Sequence, residues 1–441
     1  MFNTIKNALK TPDVRKRLLY TLLLIVIFRL GCFITIPGVN IKLLGNPDIF
    51  GNGIQGMIDL ISGGAFSRLS IFAMSISPYI TASIVIQLLG MVIPSLERLV
   101  KEGGEEGRAK INKYTKILTI VLALIESLGI FFSYKNTQIF MDTGILTAII
   151  IISSLMAGTA LLMWLGEQIT NKGIGNGISM LIFVGIISGL PNAAIGLWKT
   201  VFQAGVFSTT AFLTAIGILL GAIILITAVV FVQQAERRVP VQYSKKVVGR
   251  KMVGAQSTHI PLKLAMAGVM PIIFASSFMT FPALIIQTFA PDVATGTGFW
   301  HIIYNFSIAT SSSQVGIWYS IANAVVYLLL IVGFTFFYTY ATFNPAEVSI
   351  NIKKNGGFIP GIRAGKPTTE YLSKVISRIT IFGGIYLAII AILPMILSHI
   401  DLFSGLTFGG TSILIVVGVA IEMIQQLESL LVMRHYKGFL E

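Results

Sequence analysis

Long, nearly unbroken apolar runs recur from one end of this chain to the other, separated by shorter polar stretches. They cover Leu18 to Ile36, Leu69 to Ile93, Ile117 to Tyr134, Gly144 to Leu165, Ile174 to Leu190, Ala211 to Val232, Leu264 to Phe289, Ile317 to Phe343, Ile379 to Leu397 and Leu406 to Leu431. A helix needs about 20 mainly apolar residues to cross the hydrocarbon core of a bilayer. The strands of a membrane barrel would instead show short alternating segments. The pattern therefore predicts an all-α membrane protein with ten transmembrane helices. The first run follows Lys6, Lys10, Arg15, Lys16 and Arg17, as the core of a signal peptide would. Its length and its end at Ile36-Pro37-Gly38, with no small-residue cleavage site, read as a retained helix instead.

The polar positions orient these helices. Of the 32 Lys and Arg residues, 27 fall in the amino-terminal tail, the carboxy-terminal tail and the even-numbered loops. The alternate loops hold only Lys42, Arg68, Lys135 and Lys199, and Arg29 lies inside the first run. By the positive-inside rule both termini and the even loops face the cytoplasm. One span more or fewer would put a basic loop on the wrong side, so charge and hydropathy support the same count. The composition agrees: 54% of residues are hydrophobic and 11% charged, against about 25% charged in a soluble domain. The net charge of +14 thus reads first as topology rather than as nucleic-acid affinity.

Two of the basic loops exceed what a helix connection needs. One carries Arg237, Arg238, Lys245, Lys246, Arg250 and Lys251; the other carries Lys353, Lys354 and Arg363 among the turn residues Asn344-Pro345 and Gly356 to Gly361. Such loops are often functional, and as units they predict docking sites for an acidic protein surface or for RNA phosphates. Any single lysine reads first as fixing topology or touching anionic lipid.

Between the first two runs lies a half-apolar stretch, Ile54 to Arg68, too short to span a membrane. It reads either as a helix lying in the outer interface or as a re-entrant segment, which would require an internal cavity. In the second reading Gly63-Gly64 is a hinge and the segment a movable plug. Isoleucines recur at helical spacing, Ile76 with Ile80 and Ile178 with Ile182, and Ile273 stands four residues before Ser277. Each pair shares a helix face, and such spacing by itself is ordinary for packing or lipid contact.

Catalytic chemistry has few candidates. Arg29, Glu126 and Glu422 lie singly within separate runs, without the midplane clusters that pumps keep for use. There is no H-E-x-x-H pair, no G-x-x-x-x-G-K-[ST] loop, and Gly173-Ile174-Gly175-Asn176-Gly177 lacks a strand–turn–helix setting. One cysteine, Cys32, leaves no disulfide framework or Cys-rich metal motif. No cofactor is expected, and any ATP hydrolysis would belong to a partner.

Several short motifs together resemble the SecY-type protein-conducting channel family. They are Ser62-Gly63-Gly64-Ala65, Ser77-Pro78-Tyr79-Ile80, Trp164 to Gln168, Gly173 to Ser179, Phe274 to Ser277, Phe343-Asn344-Pro345, Pro360 to Arg363 and Phe408 to Ser412, in the family's order along the chain. The resemblance implies two inverted five-helix halves, residues 1–205 and 206–441, forming an hourglass pore. It implies a pore ring of Ile76, Ile80, Ile182, Ile273 and Ile415 with Ser277 at a sixth, polar position. It implies a plug formed by Ile58, Asp59, Leu60, Ile61, Ser62, Gly63, Gly64, Ala65 and Phe66, and a lateral gate between the second and seventh helices with Thr81, Gln87 and Phe281. The implied partners are the small subunits SecE and SecG, the motor ATPase SecA, the ribosome, signal sequences and the bilayer of a bacterial cytoplasmic membrane. Secretory chains would cross through the pore, and membrane segments would leave through the gate. An ion-coupled secondary transporter shares the helix number and inverted halves but would need midplane carboxylates; a membrane enzyme would need a catalytic cluster.

Overall fold

The computed structural model describes residues 6, 8–40, 44, 59, 62–101, 103–135, 137, 139–203, 206–207, 209–243, 246–248, 251–253, 257–289, 298–309, 316–397 and 410–437. Each of the ten apolar runs contains a helix: α1 (Pro12–Gly31), α2 (Ser77–Val92), α4 (Gly104–Tyr134), α5 (Ile145–Lys172), α6 (Gly177–Val201), α7 (Thr209–Gln234), α8 (Met270–Phe289), α10 (Ile317–Thr342), α12 (Lys366–Leu397) and α13 (Gly410–Lys437). By length and composition six stretches among the described residues qualify as membrane spans, within α4, α5, α7, α12 and α13 and in the stretch Trp318–Lys354 that covers most of α10. Helices α2, α6 and α8 contain shorter apolar stretches, and the lower half of α1 carries Arg15, Lys16 and Arg17.

Helix ends depart from the apolar boundaries for identifiable reasons. In the second run, α2 starts only at Ser77, with Pro78 in its first turn, where a missing N–H costs nothing. The preceding residues form tight turns, with Leu69 and Ser75 at φ of 40° and 52°; such backbone is costly for non-glycine residues and is held by its surroundings. Similarly, Leu264 to Val269 are turns before α8, with Gly268 at φ 60°. Helices α4 and α12 run the other way, starting well before their apolar runs as charged helices on the basic side of the protein. Hydropathy marks where a bilayer could lie, and a helix can continue past it.

Further helices among the described residues are α3 (Pro94–Lys101), α9 (Phe299–Ile308) and α11 (Pro345–Lys354). Asn344 caps α11, its Oδ1 accepting from the amides of Ala346 at 3.1 Å and Glu347 at 3.5 Å, with Pro345 at the first helical position.

The two long basic loops do not stay separate. Strand β3 (Glu236–Tyr243) pairs antiparallel with β6 (Ser257–Lys263) from the same loop and with β7 (Gly357–Phe358) from the other, in the order β6-β3-β7. A small hairpin, β4 (Lys246–Val248) with β5 (Lys251–Val253), extends the first loop, and a minimal pair, β1 (Phe202–Gln203) with β2 (Val206–Phe207), follows α6. Pro240 sits within the central strand opposite His259; β7 pairs only with Gln242 and Tyr243, so the missing proline donor falls where that edge is open. Val239, Val241, Leu262, Ile352, Ile359, Leu372 and Ile376 form a core of their own under this sheet. The principal core lies among α1, α2, α5, α6, α8, α10, α12 and α13.

Candidate pore, plug and gate

The sequence-expected plug is described at Asp59 and Ser62–Phe66; Ile58, Leu60 and Ile61 lie outside the described residues. The described part is inside the fold, with Ser62 and Ala65 fully buried and Phe66 nearly so, which a helix lying in the outer interface would not be. It is built from local hydrogen bonds. The Gly64 amide donates to the Asp59 carbonyl at 3.0 Å, the Ser62 hydroxyl donates to the same carbonyl at 3.1 Å, and the Phe66 amide donates to Ser62 Oγ at 3.2 Å. Asp59 Oδ1 accepts from the Ser67 amide at 2.7 Å; burial raises this carboxyl above its ordinary value, and the amides donating to it pull the other way. Gly63 and Gly64 take φ of 67° and 84°, the left-handed region that glycine reaches without cost.

From the sequence, Arg29 is a lone intramembrane charge expected either to pair with a neighbour or to snorkel to an interface, and the structure gives it partners. Its Nη1 donates to the Gly63 carbonyl at 3.0 Å and to Ser188 Oγ on α6 at 2.9 Å. The Phe33 ring lies under both the Arg29 and Arg68 guanidinium groups, at 5.6 Å and 4.3 Å. The sign that could have pointed to Arg29 is its place in an apolar helix, where a charge is expensive and is kept for a partner.

Five isoleucines from the expected ring come from four helices: Ile76 caps α2 and Ile80 lies in its first turn, with Ile182 from α6, Ile273 from α8 and Ile415 from α13. All are under a tenth exposed and belong to one contiguous apolar cluster, which also holds Ala65 of the plug segment. Ser277, one turn beyond Ile273, is half-buried, and its carbonyl accepts from Thr280 Oγ1 at 3.1 Å.

Helices α2 and α8 are packed neighbours. Thr81 is buried and donates back to the Ser77 carbonyl at 3.1 Å; Phe281 is half-buried, one residue before Pro282 inside α8. Proline there removes one helical hydrogen bond. Gln87 receives a bond that the sequence did not disclose: Tyr338 of α10 donates its hydroxyl to Gln87 Oε1 at 3.2 Å, while Gln87 Nε2 donates to Ser83 Oγ at 2.9 Å. Tyr338 also packs edge-on against Phe274 of α8, centroids 5.3 Å apart, and Phe274 against Phe334 at 6.0 Å. The seam thus involves α10 as well as α2 and α8.

Two glycine-rich motifs prove architectural. Gly177 touches the Gly166 carbonyl so closely that any Cβ would overlap it, while Asn176 Oδ1 caps α6 by accepting from the Ile178 and Ser179 amides at 3.1 Å and 3.4 Å. The turn is tied outward by the Ile174 amide to Thr21 Oγ1 at 3.1 Å and by the Gly175 amide to Gln426 of α13. Glu167 in the neighbouring motif pairs with Lys116 of α4 at 2.6 Å.

On the basic side, Arg237, Arg238, Lys353, Lys354 and Arg363 are exposed. Arg237 and Arg238 lie on β3 opposite Leu262 and Pro261, and Arg238 pairs with Glu236 at 2.7 Å. The Arg363 carbonyl accepts from Thr368 Oγ1 at 2.9 Å, which fixes the backbone and leaves the guanidinium outside. Lys246 and Lys251 lie on β4 and β5; Lys245 and Arg250 lie outside the described residues. No cluster of His, Cys, Asp or Glu able to hold a metal occurs among the described residues.

A sequence model of the SecY family matches residues 70–424. The chain belongs to the SecY family. The protein translocase subunit SecY of Streptomyces scabiei is 43% identical over 454 residues, covering all of both chains. That of Halalkalibacterium halodurans is 44% identical over 448 residues, again with full coverage. Among solved structures, a protein-conducting channel superposes with a TM-score of 0.68 at 22% identity, covering 94% of this chain and 92% of its own. A structure described by its SecY plug domain, which stabilises the closed state, gives 0.66 at 21% over the same shares. Sec61 in a canine ribosome–channel complex gives 0.65 at 20%, also over those shares. The fold is that of these channels, and the SecY-family chain is a subunit of a protein-translocating channel. The ion-coupled transporter finds no support among these relatives.

Proposed function

We propose that this SecY-family chain passes unfolded secretory polypeptides across the cytoplasmic membrane of a bacterium and releases membrane segments sideways into the bilayer. The observation that carries the reading is the meeting of Ile76, Ile80, Ile182, Ile273 and Ile415 from four helices in one cluster with Ala65 of the plug. Branched apolar side chains give a passing polypeptide no hydrogen bond to hold it, and when closed they resist wetting and hence ion leak. Ser277 is the polar sixth position, and the plug segment, whose Ala65 joins the same cluster, closes the ring at rest. The gate is the seam between α2 and α8, with Thr81, Gln87 and Phe281 along it; polar groups there join helices without making the joint permanent.

The halves meet near residue 205, and both termini face the cytoplasm, as the lysine and arginine distribution supports. The three-stranded sheet then stands on the cytoplasmic face with its arginines outward, a surface suited to acidic protein or RNA phosphate. It docks the motor SecA, which supplies ATP hydrolysis, and the ribosome, a partner supported by the ribosome–channel complex that holds canine Sec61. SecE and SecG complete the membrane complex.

The test is translocation in liposomes containing this chain with its small partner subunits, driven by SecA and ATP, and read as protease-protected precursor. Protection should require ATP and fall at least about tenfold in Arg363→Glu, since a reversed charge at a docking contact costs more than a lost one. Protection without ATP, or none from an intact complex, would refute the reading. Unchanged protection in Arg363→Glu would remove that residue from the docking surface.

A further inference from the structure

We propose that Arg29, with Ser188 as its partner on α6, is the latch that holds the plug in its resting seat. The proposal rests on reading residues 58–66 as the plug. An arginine inside a membrane helix is costly unless its donors are satisfied, and Arg29 satisfies two of them on one spot. Nη1 donates to the Gly63 carbonyl at 3.0 Å and to Ser188 Oγ at 2.9 Å, while the Ser188 hydroxyl also lies within 3.4 Å of the Gly63 carbonyl. Gly63 is wedged in place: a Cβ there would overlap Ser188 Oγ and approach the Gly185 carbonyl to 2.7 Å and Arg29 Nη1 to 2.8 Å. The plug backbone therefore sits flush against α1 and α6 at the point where the guanidinium reaches it, and only glycine allows that approach.

The helix supports the charge. Arg29 lies in the last turn of α1, where unpaired carbonyls favour a cation, and the Phe33 ring faces it at 5.6 Å. Arg29 is thus stabilised whether or not the plug is seated, while the bond to Gly63 exists only when it is. That difference makes it a positioning residue for gating rather than a mere structural charge: losing it destabilises the closed state relative to the open one only through the seat.

The chain supplies its own reporter. Cys32, its single cysteine, is buried, with Sγ 4.0 Å from the Ser62 carbonyl, so departure of the plug uncovers it. In the complete complex in planar bilayers, resting ion conductance and the rate of Cys32 alkylation by a small water-soluble maleimide would be measured for wild type, Arg29→Gln, Ser188→Ala, a deletion of residues 58–66, and Arg29→Gln in that deletion. Arg29→Gln should raise both readouts about tenfold, the scale of one lost charge-assisted hydrogen bond, and Ser188→Ala should raise them less. In the deletion background Arg29→Gln should add nothing. If the deletion raises conductance and Arg29→Gln and Ser188→Ala do not, the latch is refuted and the plug stands. If the deletion itself leaves conductance at rest, the plug reading fails and the latch with it. An added increase from Arg29→Gln in the deleted channel would show that it acts on the pore walls, which also overturns the proposal.

Discussion

The membrane interior and the basic-face sheet of this SecY-family chain solve opposite problems. In the interior, half-buried polar groups are spent on neighbours: Arg29 on Gly63 and Ser188, Asp59 on Ser67, Gln87 on Tyr338 and Ser83. In the sheet the apolar side chains point down into a separate small core, and Arg237, Arg238 and Arg363 stand in water. A substitution in the first region therefore disturbs contacts within the chain, whereas one at the exposed arginines of the second changes the surface and leaves the fold intact. A charge in the interior belongs to the chain's own conformational balance, and a charge on the sheet is available to another molecule.

The sharpest way to break this contrast is to bury a charge under the sheet. Val241→Asp places an unpaired carboxylate in the apolar cluster that holds Val239, Leu262 and Ile376 and should cost the sheet and its small core about 3–5 kcal/mol. Limited proteolysis should then cut within residues 236–263 while the helical core keeps its unfolding temperature in detergent; loss of both together would show that the two cores are one cooperative unit. Gly177→Ala tests the interior. Its methyl overlaps the Gly166 carbonyl, and pushing α5 from α6 should destabilise the core by about 1–3 kcal/mol, read as a lower thermal midpoint. Tyr338→Phe removes one hydrogen bond and keeps the ring against Phe274. It should loosen the seam by about 0.5–1.5 kcal/mol, and a double-mutant cycle with Gln87→Leu, scored by cross-linking of α2 to α8, should show the two effects coupled. Arg238→Ala should be nearly silent for stability, within about 0.5 kcal/mol, since its pair with Glu236 is solvent-exposed. A large loss of stability there would mean that the sheet depends on its surface charges after all.

The same contrast explains what could be read before folding. The ten apolar runs each hold a helix, because hydropathy over some 20 residues is a strong local signal. The sheet was invisible: β3 contributes only two alternating buried positions, Val239 and Val241, among arginines and a proline, and its partner β7 is two residues long and comes from another loop. Isoleucine spacing could not single out Ile80 or Ile273, since the same spacing serves lipid contact; the family resemblance supplied them. Tyr338 and Arg29 were missed as seam and plug contacts because their partners lie 251 and 34 residues away.

Sequence alone determined the solvent of each segment, the ten apolar runs that each hold a helix and the uneven division of charge among the loops, because these follow from transfer energies and counts that each residue carries by itself. Tertiary structure decided which helices meet, that two distant basic loops share one sheet, and that an arginine in the first helix seats on a glycine carbonyl. Those depend on close packing between residues far apart in the chain, where a single hydroxyl, carbonyl or missing Cβ fixes the contact, and no local pattern encodes that.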